Sequence, residues 1–99
     1  MFRGARRVGD RYFTVLLLEN DTDGARLGMA VSRRTAPRAV DRNRIKRLVR
    51  ESFRHWRTQL GNCDVVVIAK VPCREAGRPA IHLSLTGLWQ RASKRCRRS

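Results

Sequence analysis

The sequence predicts an α+β fold in which helices pack on a small mixed β-sheet. Two observations carry this prediction. Segments with strand-like composition flank one long segment with helical periodicity, and a second helical segment follows them. A chain of 99 residues can bury one modest hydrophobic core, so residues 1–99 are expected to form a single domain.

Two strands are predicted in the first third of the chain. The segment "RYFTVLLLE", from Arg11 to Glu19, is rich in aromatic and branched residues, and the Asp23-Gly24 pair after it is a strong turn signal. The segment "RLGMAVSRR" then alternates larger and smaller side chains, as a half-buried strand does. These two strands are predicted to form a hairpin.

The smaller side chains of the second strand lie on one face of it. They are Gly28, Ala30 and Ser32. Small residues leave room for another molecule to lie close to the backbone, and a helix packed on that face is an equal alternative. The pattern alone does not choose between them.

A long helix is predicted from about Val40 to Gln59, after Pro37 and before the stop signal Gly61. At about 100° per residue its apolar side chains share one face. They are Ile45, Leu48, Val49, Phe53, Trp56 and Leu60. Two acids interrupt the basic residues on the rest of the helix. Asp41 suits an N-terminal cap or the first turn, and Glu51 is expected to pair with Arg47 or His55.

The rest of the chain predicts one more strand and one more helix. "CDVVVIAK" is a continuous apolar run, typical of a central strand buried on both faces. "VPCREAGRP" is predicted to be a loop. A helix is then predicted from about Ala80, although Gly87 weakens it, and a basic tail covers about residues 94–99. The order is therefore strand-strand-helix-strand-helix. If the strands flanking the long helix pair in parallel, general statistics favour a right-handed crossover.

The charge of the chain predicts a polyanionic partner. Twenty-three Lys and Arg residues against eight acids give a net charge of +15, which costs self-repulsion in so small a domain. Between Arg33 and Arg57 there are ten basic and two acidic residues, a net charge of +8. A solvated helix face stabilised by ion pairs would interleave acids with bases. This segment barely does so, and we therefore expect it to bind nucleic acid.

Other kinds of site find little support in the sequence. The three cysteines contain no CxxC pair and are odd in number, which argues against a zinc site and a disulfide framework. His55 and His82 stand alone, and the eight acids are scattered, so neither metal-ion nor acid/base nuclease chemistry is supported. With no long apolar span and no secretory signal, no membrane partner is expected, and the chain is expected to be cytoplasmic.

The segment "AVSRRTAPRAVDRNRIKRLVRESFR" resembles the protein component of bacterial ribonuclease P. The hallmark of that family is a basic helix with an Arg-Asn-Arg core, followed by Ile-Lys-Arg and Arg-Glu-x-Phe-Arg, after a strand that ends in Ser and two basic residues. Here these elements are Ser32-Arg33-Arg34, Arg42-Asn43-Arg44, Ile45-Lys46-Arg47 and Arg50-Glu51-Ser52-Phe53-Arg54. The resemblance covers roughly Phe2 to Arg95.

The resemblance implies an accessory role in an endoribonuclease. The family's partner is a catalytic RNA that removes the 5′ leader of precursor tRNA, using Mg2+ bound mainly by that RNA. The resemblance also implies a left-handed crossover around the basic helix, against the general statistics. It further implies a cleft, formed by the sheet and a first helix, that holds the leader.

The resemblance and the charge pattern together assign the site residues. No catalytic residue and no metal ligand is expected in the protein itself. Contacts to the RNA subunit are expected from Arg33, Arg34, Arg38, Arg42, Asn43, Arg44, Lys46, Arg47, Arg50 and Arg54. Contacts to the precursor tRNA 5′ leader are expected from Phe2, Arg11 and Phe13.

An alternative of a different class is a ribosomal or general RNA-binding structural protein without a catalytic partner. Such a protein would bind many RNAs alike and accelerate the cleavage of none. A stand-alone nuclease, which would cleave without RNA, is disfavoured by the missing cluster of acids.

Overall fold

The structure, a computed structural model, describes residues 6–19 and 24–96, with side chains described as far as residue 94. Within these ranges the elements are β1 (Arg6–Gly9), β2 (Phe13–Glu19), β3 (Arg26–Ala30), α1 (Ala39–Trp56), β4 (Cys63–Ala69) and α2 (Arg78–Cys96), with 3-10 turns at Thr58–Leu60 and Val71–Glu75. A four-stranded mixed sheet and two helices confirm the predicted α+β fold. Phe2 and residues 97–99 of the predicted tail lie outside the described residues.

The order of the strands differs from the predicted hairpin. The strands lie side by side as β1-β2-β4-β3, so β4 separates the two strands that were predicted to pair. β2 is antiparallel to β4, and β3 is parallel to it. The hairpin prediction was wrong because it rested on a local turn signal, whereas the apolar β4 gains most by pairing along both of its edges. The left-handed crossover stays a prediction.

A hairpin does form at a place where no strand was predicted. β1 pairs with β2 in antiparallel register, with Val8 opposite Val15. The Oδ1 atom of Asp10 in the turn accepts hydrogen bonds from the N–H groups of Tyr12, at 2.8 Å, and Phe13, at 3.0 Å. A short polar side chain that satisfies the backbone two residues on is a known turn device, and the Gly9-Asp10 pair was the signal for it in the sequence.

The core lies between one face of the sheet and the two helices. Alternate residues of β4 are buried against the helices, while the residues between them are half-buried on the other face, so the prediction that both faces are buried was wrong. The buried residues of β4 are Cys63, Val65, Val67 and Ala69, and the half-buried ones are Asp64, Val66 and Ile68. On β3, Gly28 and Ala30 are exposed, which shows that no described helix packs on the small-residue face.

The apolar face of α1 packs into this core much as the periodicity predicts. The fully buried members of the predicted set are Ile45, Val49, Phe53 and Leu60, while Leu48 and Trp56 are half-buried. The helix ends at Trp56, three residues before the predicted end. The chain then passes through the 3-10 turn to Gly61, whose φ of 71° lies in the region that favours glycine.

The helix α2 runs without interruption from Arg78 to Cys96. Its largest fully buried side chain is Trp89, which has no exposed surface. The ring of Trp89 meets Phe53 of α1 edge to face, with centroids 5.8 Å apart. Its Nε1–H donates a hydrogen bond of 2.8 Å to Ser52 Oγ, so one residue of α2 holds α1 by an apolar contact and a polar one.

Replacing Gly87 by Ala is expected to raise the free energy of unfolding by about 0.5–1 kcal/mol, since Gly is a poor helix former. Gly87 lies inside α2, and a Cβ added there would meet no atom within 4 Å. Gly61→Ala is the matched control: space is also open there, but the positive φ predicts a loss of stability. Urea denaturation of both variants checks this prediction, and equal shifts in the same direction would contradict it.

The two cysteines whose side chains the structure describes, Cys63 and Cys73, differ. Cys63 is disulfide-bonded, although the cysteine count argued against a disulfide framework; an odd number of cysteines still allows one pair. Cys73 is free and has no exposed surface. Burial raises the pKa of its thiol to about 11, with the positive charge of Arg44 opposing this shift and the negative charge of Asp10 adding to it.

The free energy of unfolding is therefore expected to fall by about 2 kcal/mol between pH 9 and 11 on account of Cys73. The raised pKa means that the folded thiol keeps its proton in this window, while the unfolded thiol, with an ordinary value of 9.0, loses it. Stability from this group is complete below pH 9 and is lost as the pH approaches 11. Denaturation at several pH values, compared with Cys73→Ala, isolates this contribution; parallel curves for both proteins would contradict it.

Candidate nucleic-acid interface

The loop that leads into α1 is fixed to the end of β4. Ser32 Oγ accepts a hydrogen bond of 3.1 Å from the backbone N–H of Thr35, and Thr35 Oγ1 donates one of 3.3 Å to the carbonyl oxygen of Ala69. Arg33 and Arg34 lie between these anchors and are exposed. The loop therefore presents both guanidinium groups to solvent from a backbone held at two points.

The first turn of α1 combines an acid with a base. Arg38 occupies the N-cap position without a side-chain cap, so Asp41 is not the cap but the first-turn acid, the other predicted role. Its Oδ2 lies 3.9 Å from Nε of Arg38. Both side chains are solvent-accessible, and such a pair contributes little to stability. Arg38 therefore stays available to a phosphate.

Arg42 and Arg44 bind the protein's own backbone. Nη1 of Arg42 donates hydrogen bonds of 2.9 Å to the carbonyl oxygens of Ala36 and Pro37. Nη2 of Arg44 donates one of 2.8 Å to the carbonyl oxygen of Ala76. Both side chains are half-buried. In this structure the two arginines hold the loops on either side of α1, and their remaining N–H groups are what an RNA could contact.

The side chains between and beyond these two arginines form the exposed line of the helix. Asn43, Arg47, Arg50 and Arg54 occupy positions i, i+4, i+7 and i+11, and all four are exposed. At 100° and 1.5 Å per residue they form a nearly straight row about 16 Å long. We call these four residues the basic stripe. Its three arginines have no hydrogen bond or ion pair to any described residue, and Lys46 lies beside it, half-buried.

Glu51 turns away from the basic stripe. Its Oε1 lies 3.6 Å from Nη2 of Arg78 in α2, so the expected pairing with Arg47 or His55 was wrong. The helical position of Glu51 lies about 80° around the axis from Asn43, on the side where α2 begins. The stripe therefore keeps its full positive charge, as phosphate binding requires.

The residues expected to hold the leader are not brought together. Arg11 is exposed, with its guanidinium carbon 6.0 Å from the centre of the Tyr12 ring. Phe13 lies in the core with no exposed surface, because it points to the helix side of β2. In this structure its ring offers no contact to an RNA strand, so that assignment needs correction. Phe2 lies outside the described residues.

The described residues offer no metal centre and no membrane span. No three His, Cys, Asp or Glu side chains among them lie close enough together to hold a metal ion. Neither α1 nor α2 is long and apolar enough to cross a bilayer. The side chains that this part of the chain exposes on and before α1 are mainly arginines, with the amide of Asn43 among them.

One feature near the stripe was not anticipated from the sequence. A groove lies between α1 and α2, lined by Leu48, Glu51 and His55 from the first helix and by Arg78, Ile81 and His82 from the second. Its existence depends on how two distant helices pack, and no local pattern encodes that packing.

Comparison with known proteins gives one consistent result. Residues 1–93 match the family model described as Ribonuclease P. The chain is 47% identical to the ribonuclease P protein component of Thioalkalivibrio sulfidiphilus, over 97% of this chain and 80% of that protein. It is 44% identical to the same component of Methylococcus capsulatus, over 97% of this chain and 75% of that protein.

Solved structures agree with the sequence relatives. The RNase P protein of Staphylococcus aureus superimposes with a TM-score of 0.82 at 34% identity, covering 89% of this chain and 81% of that one. The RNase P protein of Thermotoga maritima, solved in complex with 1-(4-fluorophenyl)-2-thiourea, gives a TM-score of 0.79 at 32% identity, covering 88% of this chain and 85% of that one.

Proposed function

Because the chain belongs to the ribonuclease P protein family, the accessory subunits of a tRNA 5′-processing endoribonuclease, we propose that its basic stripe binds the catalytic RNA of that ribonucleoprotein. RNase P is an RNA–protein complex, so an RNA partner follows from membership. The proposal names the basic stripe as the surface that contacts that RNA. It also includes that residues 1–99 act as one RNA-binding domain in the cytoplasm.

The observation that carries the proposal is the row of unpaired charge on α1. Each arginine placed on a phosphate releases condensed counterions, which drives binding without any new apolar burial. The planar guanidinium also grips two phosphate oxygens at once. Arg33, Arg34 and Arg38 are also exposed and precede the stripe in the chain, so they add three positive charges to the surface that an RNA would meet.

The protein contributes positioning and charge, and the chemistry of cleavage belongs to the RNA. Since the described residues do not form a metal site, we propose that the Mg2+ ions of the reaction are held mainly by the RNA subunit. The protein lowers the repulsion between two polyanions, the catalytic RNA and the precursor tRNA, which is the same repulsion that Mg2+ otherwise screens.

We propose that the 5′ leader of the precursor tRNA lies against the open face of the sheet. Gly28 and Ala30 are exposed there, and a Cβ added at Gly28 would meet only Val66, at 3.8 Å. An extended strand of RNA can approach such a backbone closely. Arg11 at the β1–β2 turn stays the predicted phosphate contact, while Phe13 is replaced in this role by the open sheet face.

The experiment that tests the proposal is the cleavage of a precursor tRNA by a bacterial ribonuclease P RNA at low Mg2+, with and without the protein. Stimulation is expected only when the RNA is present, and the protein alone is expected to be inactive. A protein that binds the RNA tightly but never stimulates cleavage would favour the alternative of a general RNA-binding structural protein. Cleavage by the protein alone would refute both the accessory role and the structural alternative.

A further inference from the structure

The groove between α1 and α2 has the composition of a small-molecule site. Its lining comes from positions i, i+3, i+4 and i+7 of each helix, residues 48–55 of α1 and 78–85 of α2. Two such faces normally interlock without a gap. Here they leave a space of about 160 Å³, similar to the cavity of about 150 Å³ that admits a benzene molecule in another protein.

The floor and the rim of the groove differ in chemistry. Ile81 and Leu85 form a fully buried apolar floor, with half-buried Leu48 beside them. The rim is exposed and carries groups that make hydrogen bonds or stack: Glu51, His55, Arg78 and His82. A flat apolar body with polar atoms on its edge fits such a site.

The position of the groove indicates where such a ligand would come from. Glu51 lies on the same helix as the basic stripe, about one turn or less from Arg47, Arg50 and Arg54, and His55 directly follows Arg54. A phosphate backbone on the stripe carries its bases within reach of the groove. Unstacked RNA bases are commonly held by stacking on His or Arg side chains and by hydrogen bonds along their Watson–Crick edge.

Glu51 narrows the choice of base. A carboxylate is an acceptor only, so it favours an edge that presents donors side by side. Guanine does this with N1–H and N2–H2, in the fork geometry that makes bidentate pairs strong. Adenine and cytosine each place an acceptor beside their amino group, and uracil has a single N–H between two carbonyls. The present partner of Glu51 is Arg78, at 3.6 Å, with the two side chains 47% and 75% exposed. Opening an ion pair this accessible to water costs little free energy.

We propose that this groove binds one unstacked guanine base of an RNA that lies on the basic stripe. Glu51 accepts from the Watson–Crick edge, the imidazoles of His55 and His82 stack on the ring, and Ile81 and Leu85 form the floor beneath it. The proposal rests on the proposed function, because the stripe must first hold the phosphates. It also gives a reason for one of the two acids on this basic helix.

The test uses four single-stranded RNAs of eight nucleotides, which carry equal charge. One is all uridine, and the others have guanosine, inosine or adenosine at one central position. The RNA with guanosine is expected to bind at least about fivefold more tightly than the all-uridine RNA, as a matched bidentate pair predicts. Inosine, which lacks the N2 amino group, is expected to fall between them. The imidazole proton signals of His55 and His82 should shift with the guanosine RNA, less with the inosine RNA, and not with the all-uridine RNA.

Two variants separate base recognition from charge. Glu51→Gln replaces one acceptor oxygen by a donor, so the guanosine preference is expected to disappear while all-uridine RNA still binds. Asp41→Asn is the matched control: it makes the same change in net charge on the same helix, 10 residues away, and should tighten all four RNAs alike while keeping the preference.

The outcomes distinguish this inference from the one it rests on. If all four RNAs bind equally and the histidine signals stay unmoved, RNA binding by the stripe stands and the guanine site is refuted. If the preference survives Glu51→Gln, the site is likewise refuted. If none of the RNAs binds, the proposed function itself fails.

Discussion

Replacing Arg47 and Arg50 together by alanine is expected to weaken binding to a bacterial ribonuclease P RNA by about a hundredfold. Each side chain is exposed at the centre of the basic stripe and has no partner among the described residues. Losing one charge-assisted contact costs about 1.4 kcal/mol, or a factor of ten in affinity. Because no intramolecular bond is broken, the free energy of unfolding should change by less than about 0.5 kcal/mol.

The salt dependence of binding shows whether these arginines contact phosphates. Two lost phosphate contacts are expected to reduce the slope of log K against log salt concentration by about 1.5–2. The control replaces Arg7 and Lys94 by alanine. Both are exposed and lie on β1 and α2, away from the stripe, and their replacement removes the same charge. A weaker affinity with an unchanged slope would mean that the stripe faces something other than phosphate. Equal effects of both pairs would mean that only net charge matters.

The same substitutions at Arg42 and Arg44 would give a mixed result. Their guanidinium groups hold the carbonyl oxygens of Ala36, Pro37 and Ala76. Alanine at either position would release a loop next to α1 as well as remove a charge. For this reason Arg47 and Arg50 are the sharper test of phosphate contact, although the sequence motif gives all four arginines equal weight.

The contrast between these arginines shows what a helical pattern can and cannot predict. The exposure of Arg47, Arg50 and Arg54 follows from the 3.6-residue period, because the apolar residues fix which side faces the core. The inward bonds of Arg42 and Arg44 depend on loops at residues 36–37 and 71–76, whose positions are set by the rest of the fold. Periodicity carries no information about them.

The strands were also easier to predict than their order in the sheet. The alternation of β3 and the apolar run of β4 were sufficient to predict strands, but not their neighbours. Which strands pair depends on the free energies of all the possible pairings. The turn signal at Asp23-Gly24 bears on only one of them, the pairing of β2 with β3. The assignment of Phe13 to the leader failed for a related reason: a strand residue faces one of two sides, and "RYFTVLLLE" is apolar on both.

The Arg-Asn-Arg motif identified the helix, yet the groove beside it needed the structure. The helical patterns predict that Leu48 and Leu85 are ordinary core residues. His55 and His82, which are 27 residues apart in the sequence, meet at the same rim once the helices pack. Residues from separate helices become a site only through their tertiary arrangement.

Replacing Trp89 by alanine is expected to lower the free energy of unfolding by about 3–5 kcal/mol. That is a large part of the about 5–15 kcal/mol that stabilises a domain. The substitution removes the largest fully buried side chain, leaves a cavity, and removes the edge contact with Phe53 and the hydrogen bond to Ser52. Urea denaturation followed by circular dichroism measures the loss.

Two further variants divide this loss into its causes. Ser52→Ala leaves the indole N–H buried without an acceptor and should cost about 1–3 kcal/mol. Trp89→Phe keeps an aromatic ring against Phe53 and should fall between Ser52→Ala and Trp89→Ala. Leu83→Ala, at a position that is 72% exposed on the same helix, should change little. Phe53 and Ser52 lie on the buried side of α1, away from the basic stripe, so their contacts with Trp89 affect RNA binding only by keeping the helix folded. RNA affinity should therefore fall in the same order as stability. The informative condition is a temperature at which the Trp89→Ala protein is mostly unfolded. Normal RNA binding there would show that the stripe acts as a charged segment and does not need its helix.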